Sequence, residues 1–372
     1  RSKQLMKNSD TKRIYINLSN ISTGGSIQVA MSFIEHFVKS EINPKFYFLF
    51  SRKLYVEINN SHLAPYLNRL SYKITSKRSL FFYFTIMQPK KIFTLFGPLY
   101  CIKLLPGRDW ITGFAQAWIL FPKNKVYDEL DLITWLKFKI VFLIQKAFYF
   151  NSNTLIVEHK GIKTQLEQMF RNKKIIVAKN SLNQVFLNPS NWKPIQKPKT
   201  DKFKIGVIGR NYIHKNLSII PLVKDLLEKT HSIKAQFYCT LTTKEMEKMS
   251  EEFREKVVSL GELSINQCPD FYNKMDMIFF PSNLECFSAT PIEALYMNRN
   301  IVCSNLPFNK NITGKFGVYF EPNDPVSASE KIAATLKKQI NGQLKEAKKF
   351  VFSNYKSEER FNIYINTILL NE

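Results

Sequence analysis

The sequence predicts an α/β protein of two Rossmann-like, parallel-sheet domains facing a cleft. Three observations carry that reading. Short β-branched and aromatic runs alternate along the chain with stretches of helical apolar spacing, the pattern of parallel strands joined by crossover helices. Several of these strands end in loops of glycine or polar residues, where open α/β sheets bind ligands. A polar stretch near the middle, bearing Pro189, Pro194 and Pro198, has linker composition. The expected division is an N-terminal domain over 1–188, a linker over 189–202, a C-terminal domain over 203–354 and a helix in 355–372 that packs back on the first domain.

A chain of 372 residues is long enough for two cores. Its 54 Lys and Arg against 30 Asp and Glu leave a charge of +24. Such a charge calls for an anionic partner: a nucleotide or diphosphate, an anionic membrane surface, or nucleic acid. Cys101, Cys239, Cys268, Cys286 and Cys303 are scattered, with no C-x-x-C pair. They fit buried thiols in a reducing compartment and neither zinc nor a disulfide framework. Residues 1–10 are polar and read as a disordered start without a secretory signal. No uncharged apolar window reaches about 18 residues, so no transmembrane helix is expected.

In the first half, a strand over 13–19 runs into Gly24-Gly25, and 27–38 has helical spacing. Adjacent glycines let backbone approach a ligand and expose N–H groups at a helix start. The full dinucleotide fingerprint is missing, and a ligand-free turn suits the same residues. A strand over 45–50 precedes a helix over 56–68 and a basic connector, 73–78. Strands over 92–96 and 110–112 end at Gly97-Pro98 and Gly113-Phe114. The apolar stretch 130–150 is broken by Asp131, Lys137, Lys139 and Lys146. Its lysines do not gather on one face, so it reads as a core-packing helix with a solvated edge rather than a membrane-contact helix. A strand over 154–158, a helix over 160–170 and a strand over 174–178 complete this half.

The second half opens with a strand over 203–208, which ends at Gly209-Arg210 and reaches Lys215-Asn216 before a helix over 217–228. Two cations and backbone N–H groups at the end of a strand suit a diphosphate, and two solvated surface cations give the same pattern. His214 has no second metal-ligating residue at a useful spacing. A strand over 235–241, a helix over 244–256, Gly261 and a helix over 265–274 follow. The strand 275–280 then leads into Pro281-Ser282-Asn283-Leu284-Glu285-Cys286-Phe287-Ser288-Ala289. Thr290 reads as an N-cap, Pro291 as the first helical residue and Glu293 as the third. Thr290 and Glu293 also spell a structural capping box. Glu285 stands in an apolar loop, where a carboxylate is costly to bury alone. Strands over 301–304 and 317–320, a helix over 325–339 and a helical tail, 343–370, finish the chain.

Together these residues resemble the retaining, nucleotide-sugar-dependent glycosyltransferases of glycosyltransferase family 4, which have the GT-B fold. The resemblance spans almost the whole chain. It rests on Gly24-Gly25, on Gly209-Arg210 with Lys215-Asn216, and on Gly261 followed by a helix ending in Tyr272. Above all it rests on Pro281-Ser282, Glu285 and Glu293-Ala294-Leu295, which look like the family's pair of glutamates separated by seven residues. The resemblance implies that Arg210 and Lys215 bind the donor diphosphate and answer its leaving-group charge. It implies that Glu285 contacts the sugar hydroxyls, that amides near Phe287, Ser288 and Ala289 support sugar and phosphate, and that Glu293 holds the ribose. Gly24, Gly25 and Gly209 would approach the donor closely. No metal or other cofactor is implied. The loops at Gly97 and at Gly113-Phe114 resemble those of bacterial surface-polysaccharide members and are the candidate acceptor contacts.

The sequence departs from the family pattern where Ser288 replaces a common glycine and where Asn298-Arg299-Asn300 replaces a small-residue turn. A further departure is at Ala115-Gln116, where a histidine is common. The expected partners are a nucleotide sugar, a glycan or lipid-linked acceptor and an anionic membrane surface, at the inner face of the cell membrane. A basic nucleic-acid-binding protein is a reading from another class. The dispersed lysines and the lack of an RNP motif, zinc finger or continuous basic helix argue against it. A nucleotide-sugar epimerase of the same fold stays open on fold grounds.

Overall fold

Strand-forming runs such as Ile-Tyr-Ile-Asn-Leu and Phe-Tyr-Phe-Leu-Phe, apolar at nearly every position, demand cover on both faces of a sheet. In the computed structural model they receive it. The structure describes residues 13–22, 24–40, 42, 45–196, 200–337 and 341–370. The expected disordered start, 1–10, and Pro198 of the expected linker lie outside them. The chain divides into two units: Arg1–Ser181 with Ser357–Glu372, and Leu182–Lys356.

The sheet of unit 1 contains β1 (Ile14–Leu18), β2 (Phe46–Phe50), β3 (Tyr72–Ile74), β4 (Lys91–Thr94), β5 (Asp109–Phe114), β6 (Thr154–Val157) and β7 (Lys174–Val177). Their order is β3-β2-β1-β4-β5-β6-β7, and every pairing is parallel. Helices α1 (Gly24–Lys39), α2 (Arg52–Asn59), α3 (Lys77–Met87), α4 (Ala117–Leu120), α5 (Leu132–Tyr149) and α6 (Lys160–Met169) join the strands. Tyr15, Phe84, Ile92 and Trp110 form part of the core on one side of this sheet. Asn17 is polar inside β1, and its buried amide donates to the Thr94 hydroxyl across the strand pair at 3.2 Å. The chain returns to unit 1 through the helix Ser357–Leu369. Its buried Arg360 donates to Glu158 at 3.0 Å and also to Asn180. Lys91 of β4 donates to the Ile368 carbonyl at 2.7 Å.

Unit 2 repeats the plan. Its strands are β8 (Phe203–Val207), β9 (Ala235–Cys239), β10 (Val257–Ser259), β11 (Met277–Phe280), β12 (Asn300–Ser304) and β13 (Val318–Phe320). They lie in the order β10-β9-β8-β11-β12-β13, all parallel. Connecting helices are α7 (Ile220–Lys229), α8 (Thr243–Met246), α9 (Glu251–Lys256), α10 (Cys268–Lys274), α11 (Thr290–Tyr296), α12 (Pro307–Thr313), α13 (Pro325–Lys337) and α14 (Asn341–Asn354). Two apolar layers cover the sheet, one around Phe271, Tyr272 and Leu295, the other around Val223, Phe237 and Phe279. In each unit the strand order reverses beside the first strand, between β1 and β4 and between β8 and β11. Such a reversal opens a crevice at the carboxyl ends of the two strands, because their connections leave in opposite directions.

Four expectations change. The stretch 189–202 does not separate the units, which part instead at 181/182 and 356/357. Its backbone is tied into unit 2, with the Lys193 N–H donating to the Asn266 carbonyl at 2.8 Å and the Ile195 N–H to Asp270 at 2.7 Å. Pro189 and Pro194 mark missing backbone donors rather than slack chain. The basic connector 73–78 supplies the edge strand β3. The single helix expected over 244–256 is two, α8 and α9. Finally, α5 is not a core helix: Tyr149 is its only buried residue.

Candidate active site

The loops after β8 and β11 meet at the reversal of the second sheet, and they carry Arg210, Lys215 and Glu285. Gly209 leaves β8 with φ +152°, a backbone setting that side chains disfavour. Its N–H donates to the Thr240 hydroxyl at 3.1 Å, which pins the loop to the neighbouring strand's end. The loop turns through Ile213–Lys215 and closes on Asn216 at φ +51°. Asn283 fastens the second loop to the first, its N–H donating to the His214 carbonyl at 2.7 Å.

This stitching brings Lys215 and Glu285 into a hydrogen-bonded ion pair. The Ser282 hydroxyl lies 2.8 Å from the same Glu285 oxygen, and His214 Nε2 lies 4.0 Å away. Lys215 Nζ also stands 5.2 Å above the Phe280 ring. Burial raises the Glu285 carboxyl, but the Lys215 charge, His214 and the hydrogen bonds outweigh it and hold the group below its ordinary value. Burial pushes the His214 imidazole down to about 4. It is therefore neutral near pH 7, stacked on Tyr212 at 5.6 Å. A fixed cation and a carboxylate that stays ionised thus share one crevice.

Arg210 points elsewhere in this arrangement. It pairs with Glu245 at 2.6 Å and with Glu262 at 3.6 Å. Glu245 also closes a capping box with Thr242 at the start of α8 and accepts from the Asn211 N–H at 3.1 Å. Burial raises its carboxyl, and backbone donors and the Arg210 charge bring it below its usual value. Neither glutamate was singled out from the sequence. The Thr242-Thr-Lys-Glu245 spacing after β9, the strand beside β8, was the available signal.

Glu293 does not form the expected capping box with Thr290. The residue before α11 is Ala289, and no side chain caps the helix. Glu293 instead accepts from the Tyr272 hydroxyl at 2.6 Å, with both residues buried. Burial, and then the Glu293 charge, raise the Tyr272 hydroxyl well above its usual value, so the phenol keeps its proton and donates it. Phe287 and Ser288 are buried, and Phe287 packs 6.1 Å from the Tyr355 ring. The Phe287 side chain thereby anchors the loop in the core.

In unit 1, Gly24 opens α1 at φ +48°, and a side chain at Gly24 or Gly25 would meet nothing within 4 Å. Both border the open end of β1. Gly97 follows β4, flanked by carbonyls of Phe96 and Pro98 that accept from Asn20 at 3.1 and 3.2 Å. Gly113 and Phe114 lie inside β5 rather than in a loop. A Cβ on Gly113 would stand 1.8 Å from the Leu95 carbonyl oxygen, and Phe114 is fully buried against Tyr149. Close strand packing explains both residues. No group of three His, Cys, Asp or Glu among the described residues is placed to hold a metal ion.

Residues 189–358 match the family of glycosyl transferases group 1. The matched region contains the whole Arg210, Lys215, Glu285 and Glu293 constellation. Over 158 residues the chain is 28% identical to the O-antigen chain mannosyltransferase RfbU of Salmonella typhimurium, covering 41% of this chain and 42% of that one. The match thus spans under half of that relative's length. Over 301 residues it is 23% identical to the capsular polysaccharide biosynthesis glycosyltransferase CapM of Staphylococcus aureus, covering 74% of this chain and 78% of the relative. Among solved structures, Anabaena HepE in complex with UDP and glucose superposes with a TM-score of 0.66 at 11% identity, over 96% of this chain and 99% of that one. The fold is GT-B.

Proposed function

We propose that the chain is a retaining glycosyltransferase that moves a hexosyl group from a nucleotide-diphosphate sugar to a glycan or lipid-linked acceptor in surface-polysaccharide synthesis. The observation that carries the reading is the Lys215–Glu285 ion pair at the strand reversal of unit 2, with Arg210 earlier on the same loop as Lys215. The group 1 match over that region and the polysaccharide relatives support it.

In this reading the bond from the anomeric carbon to the diphosphate oxygen breaks, and the oxygen leaves with the electron pair. Lys215 and Arg210 answer the developing negative charge, which calls on no metal ion. Glu285 accepts hydrogen bonds from the sugar hydroxyls, held in register by Ser282 and Lys215. Glu293, oriented by Tyr272, receives the ribose hydroxyls. The acceptor oxygen bonds to the anomeric carbon on the face the diphosphate leaves, and its proton passes to the leaving phosphate. The acceptor would be met at the inner face of the cell membrane.

Thermal unfolding across UDP, GDP, dTDP, CMP and ADP, with and without attached sugars, tests the donor assignment. One nucleotide diphosphate should stabilise the protein selectively, by about 2.7 kcal/mol at a hundredfold excess over Kd. That stabilisation should vanish in Lys215→Ala. The absence of any shift would refute the reading.

A further inference from the structure

The helix α5 is fastened along one edge only. Trp118 packs on Phe138 and Phe142, with ring centroids 5.1 and 5.7 Å away, and Tyr149 enters the core. On the opposite side Leu132, Leu136, Ile140, Leu143 and Ile144 are exposed, Leu143 to 69%. At 3.6 residues per turn these positions make one continuous apolar stripe along the helix. Lys139 and Lys146 border the stripe on one side and Lys137 on the other, and Trp135 stands beside Lys139, 5.4 Å from its ammonium. A contiguous exposed apolar stripe of this kind is rare on soluble proteins and marks an interaction surface.

The patch continues beyond α5. Tyr100 packs edge-on against Phe148 of α5 at 5.3 Å and lies under Lys77 of α3 at 5.9 Å. Gln88, just after α3, donates to the Ile102 carbonyl at 2.7 Å, which sets Ile102 and Leu104 beside α3. Phe82 and Ile86 of α3 and Leu104 are each more than 60% exposed. Between Glu57 and Asp109 the sequence has eight Lys or Arg and no Asp or Glu. From Leu132 to Tyr149 it has three lysines and again no acid. The nearest carboxylates, Asp128, Glu129 and Asp131, stand together at one end of α5.

We infer that this face of unit 1 is a membrane-docking surface, with α5 lying in the plane of an anionic lipid leaflet. The apolar stripe enters the acyl boundary, Lys137 and Lys146 reach lipid phosphates, and Trp135 sits at the headgroup level. No helix among the described residues is long and apolar enough to cross a membrane, so the contact is peripheral. Charge chooses the occupant. A second copy of the chain would set the same lysines against one another, because a two-fold interface needs a self-complementary patch. An anionic leaflet complements the apolar and the basic parts together. The inference deepens the lipid-linked acceptor reading and rests on it only for its purpose, since vesicle binding is read without any transfer.

The test is co-sedimentation of the full chain with vesicles of phosphatidylcholine alone and of equimolar phosphatidylglycerol and phosphatidylcholine, with sedimentation velocity on the free protein. Wild-type protein should bind the anionic vesicles and lose binding as salt rises. Leu136→Asp/Leu143→Asp should weaken binding at least about tenfold, with nucleotide-induced stabilisation unchanged, because both side chains are exposed and distant in sequence from the donor loops. Lys137→Glu/Lys146→Glu should remove the preference for anionic lipid. Unchanged vesicle binding in the aspartate variant overturns the inference, as does the absence of wild-type binding. A dimer dispersed by the same substitutions assigns the face to a second copy and overturns it too.

Discussion

Lys215 and Glu285, seventy residues apart in sequence, form a part-buried ion pair across the strand reversal of unit 2. Each side chain is less than a fifth exposed, so each holds the other's charge in place. In a charged pair largely withdrawn from water, removing one partner costs more than replacing both. Lys215→Met should destabilise the protein by on the order of 3 kcal/mol in urea unfolding, and adding Glu285→Gln should recover part of that loss. Both single variants should lose transfer. Full turnover in either would undo the site assignment, whatever the stability result.

Arg210 tests a different link. Its guanidinium is held by Glu245 and Glu262 at the rim of the crevice. Arg210→Ala should lower the unfolding midpoint, since its pair with Glu245 is withdrawn from water about as far as that of Lys215 with Glu285. It should weaken nucleotide-diphosphate binding by roughly tenfold or more, the value of a charge-assisted contact. Isothermal titration of the nucleotide selected by the thermal screen measures this directly.

Tyr272 donates a buried hydrogen bond to the Glu293 carboxylate. Tyr272→Phe removes the donor and keeps the ring. The cost should be about 1.5–3 kcal/mol, with weaker nucleotide binding if Glu293 needs the phenol for its orientation. An unfolding curve indistinguishable from wild type would show that the bond adds nothing.

His214 gives a pH signature. Its proton affinity falls on folding, from the usual 6.5 to about 4. Between those values the unfolded chain binds more protons, so stability rises with pH there. The contribution is fully present above about 6.5 and is lost as the pH falls towards 4. It amounts to on the order of 3 kcal/mol. His214→Gln should flatten this part of the stability profile, and a slope unchanged in the variant would assign the dependence to other groups.

Gly113 separates packing from acceptor binding. A methyl group there meets the Leu95 carbonyl at 1.8 Å, so β4 and β5 must part to admit it. Gly113→Ala should destabilise unit 1 by several kcal/mol, on the scale of severe overpacking, and the soluble yield should fall. A stable variant with impaired transfer would return Gly113 to the acceptor site.

The sequence carried the alternation of strands and helices, because buried parallel strands and amphipathic helices have separate periods. It also brought out Lys215 and Glu285, since a cation and a carboxylate in loops after buried strands stand out against apolar surroundings. Three features escaped it for identifiable reasons. Glu245 and Glu262 look like ordinary surface acids until β9 is placed beside β8. The fate of Glu293 depended on a tyrosine twenty-one residues away, so local spacing favoured a cap that does not form. The exposure of α5 was invisible because an apolar helix facing lipid and one facing a core share the same composition, and only neighbours distinguish them.

Arg360 has a consequence for the order in which the molecule is made. Unit 2 is continuous in sequence, whereas unit 1 is completed by the segment from Ser357 onward. During synthesis residues 182–356 are translated before Arg360, so most of unit 2 can begin to fold while the first unit is incomplete. Throughout that interval the growing first unit lacks the guanidinium that neutralises Glu158 in its interior. The first unit therefore closes its interior only once the segment from Ser357 onward has been added.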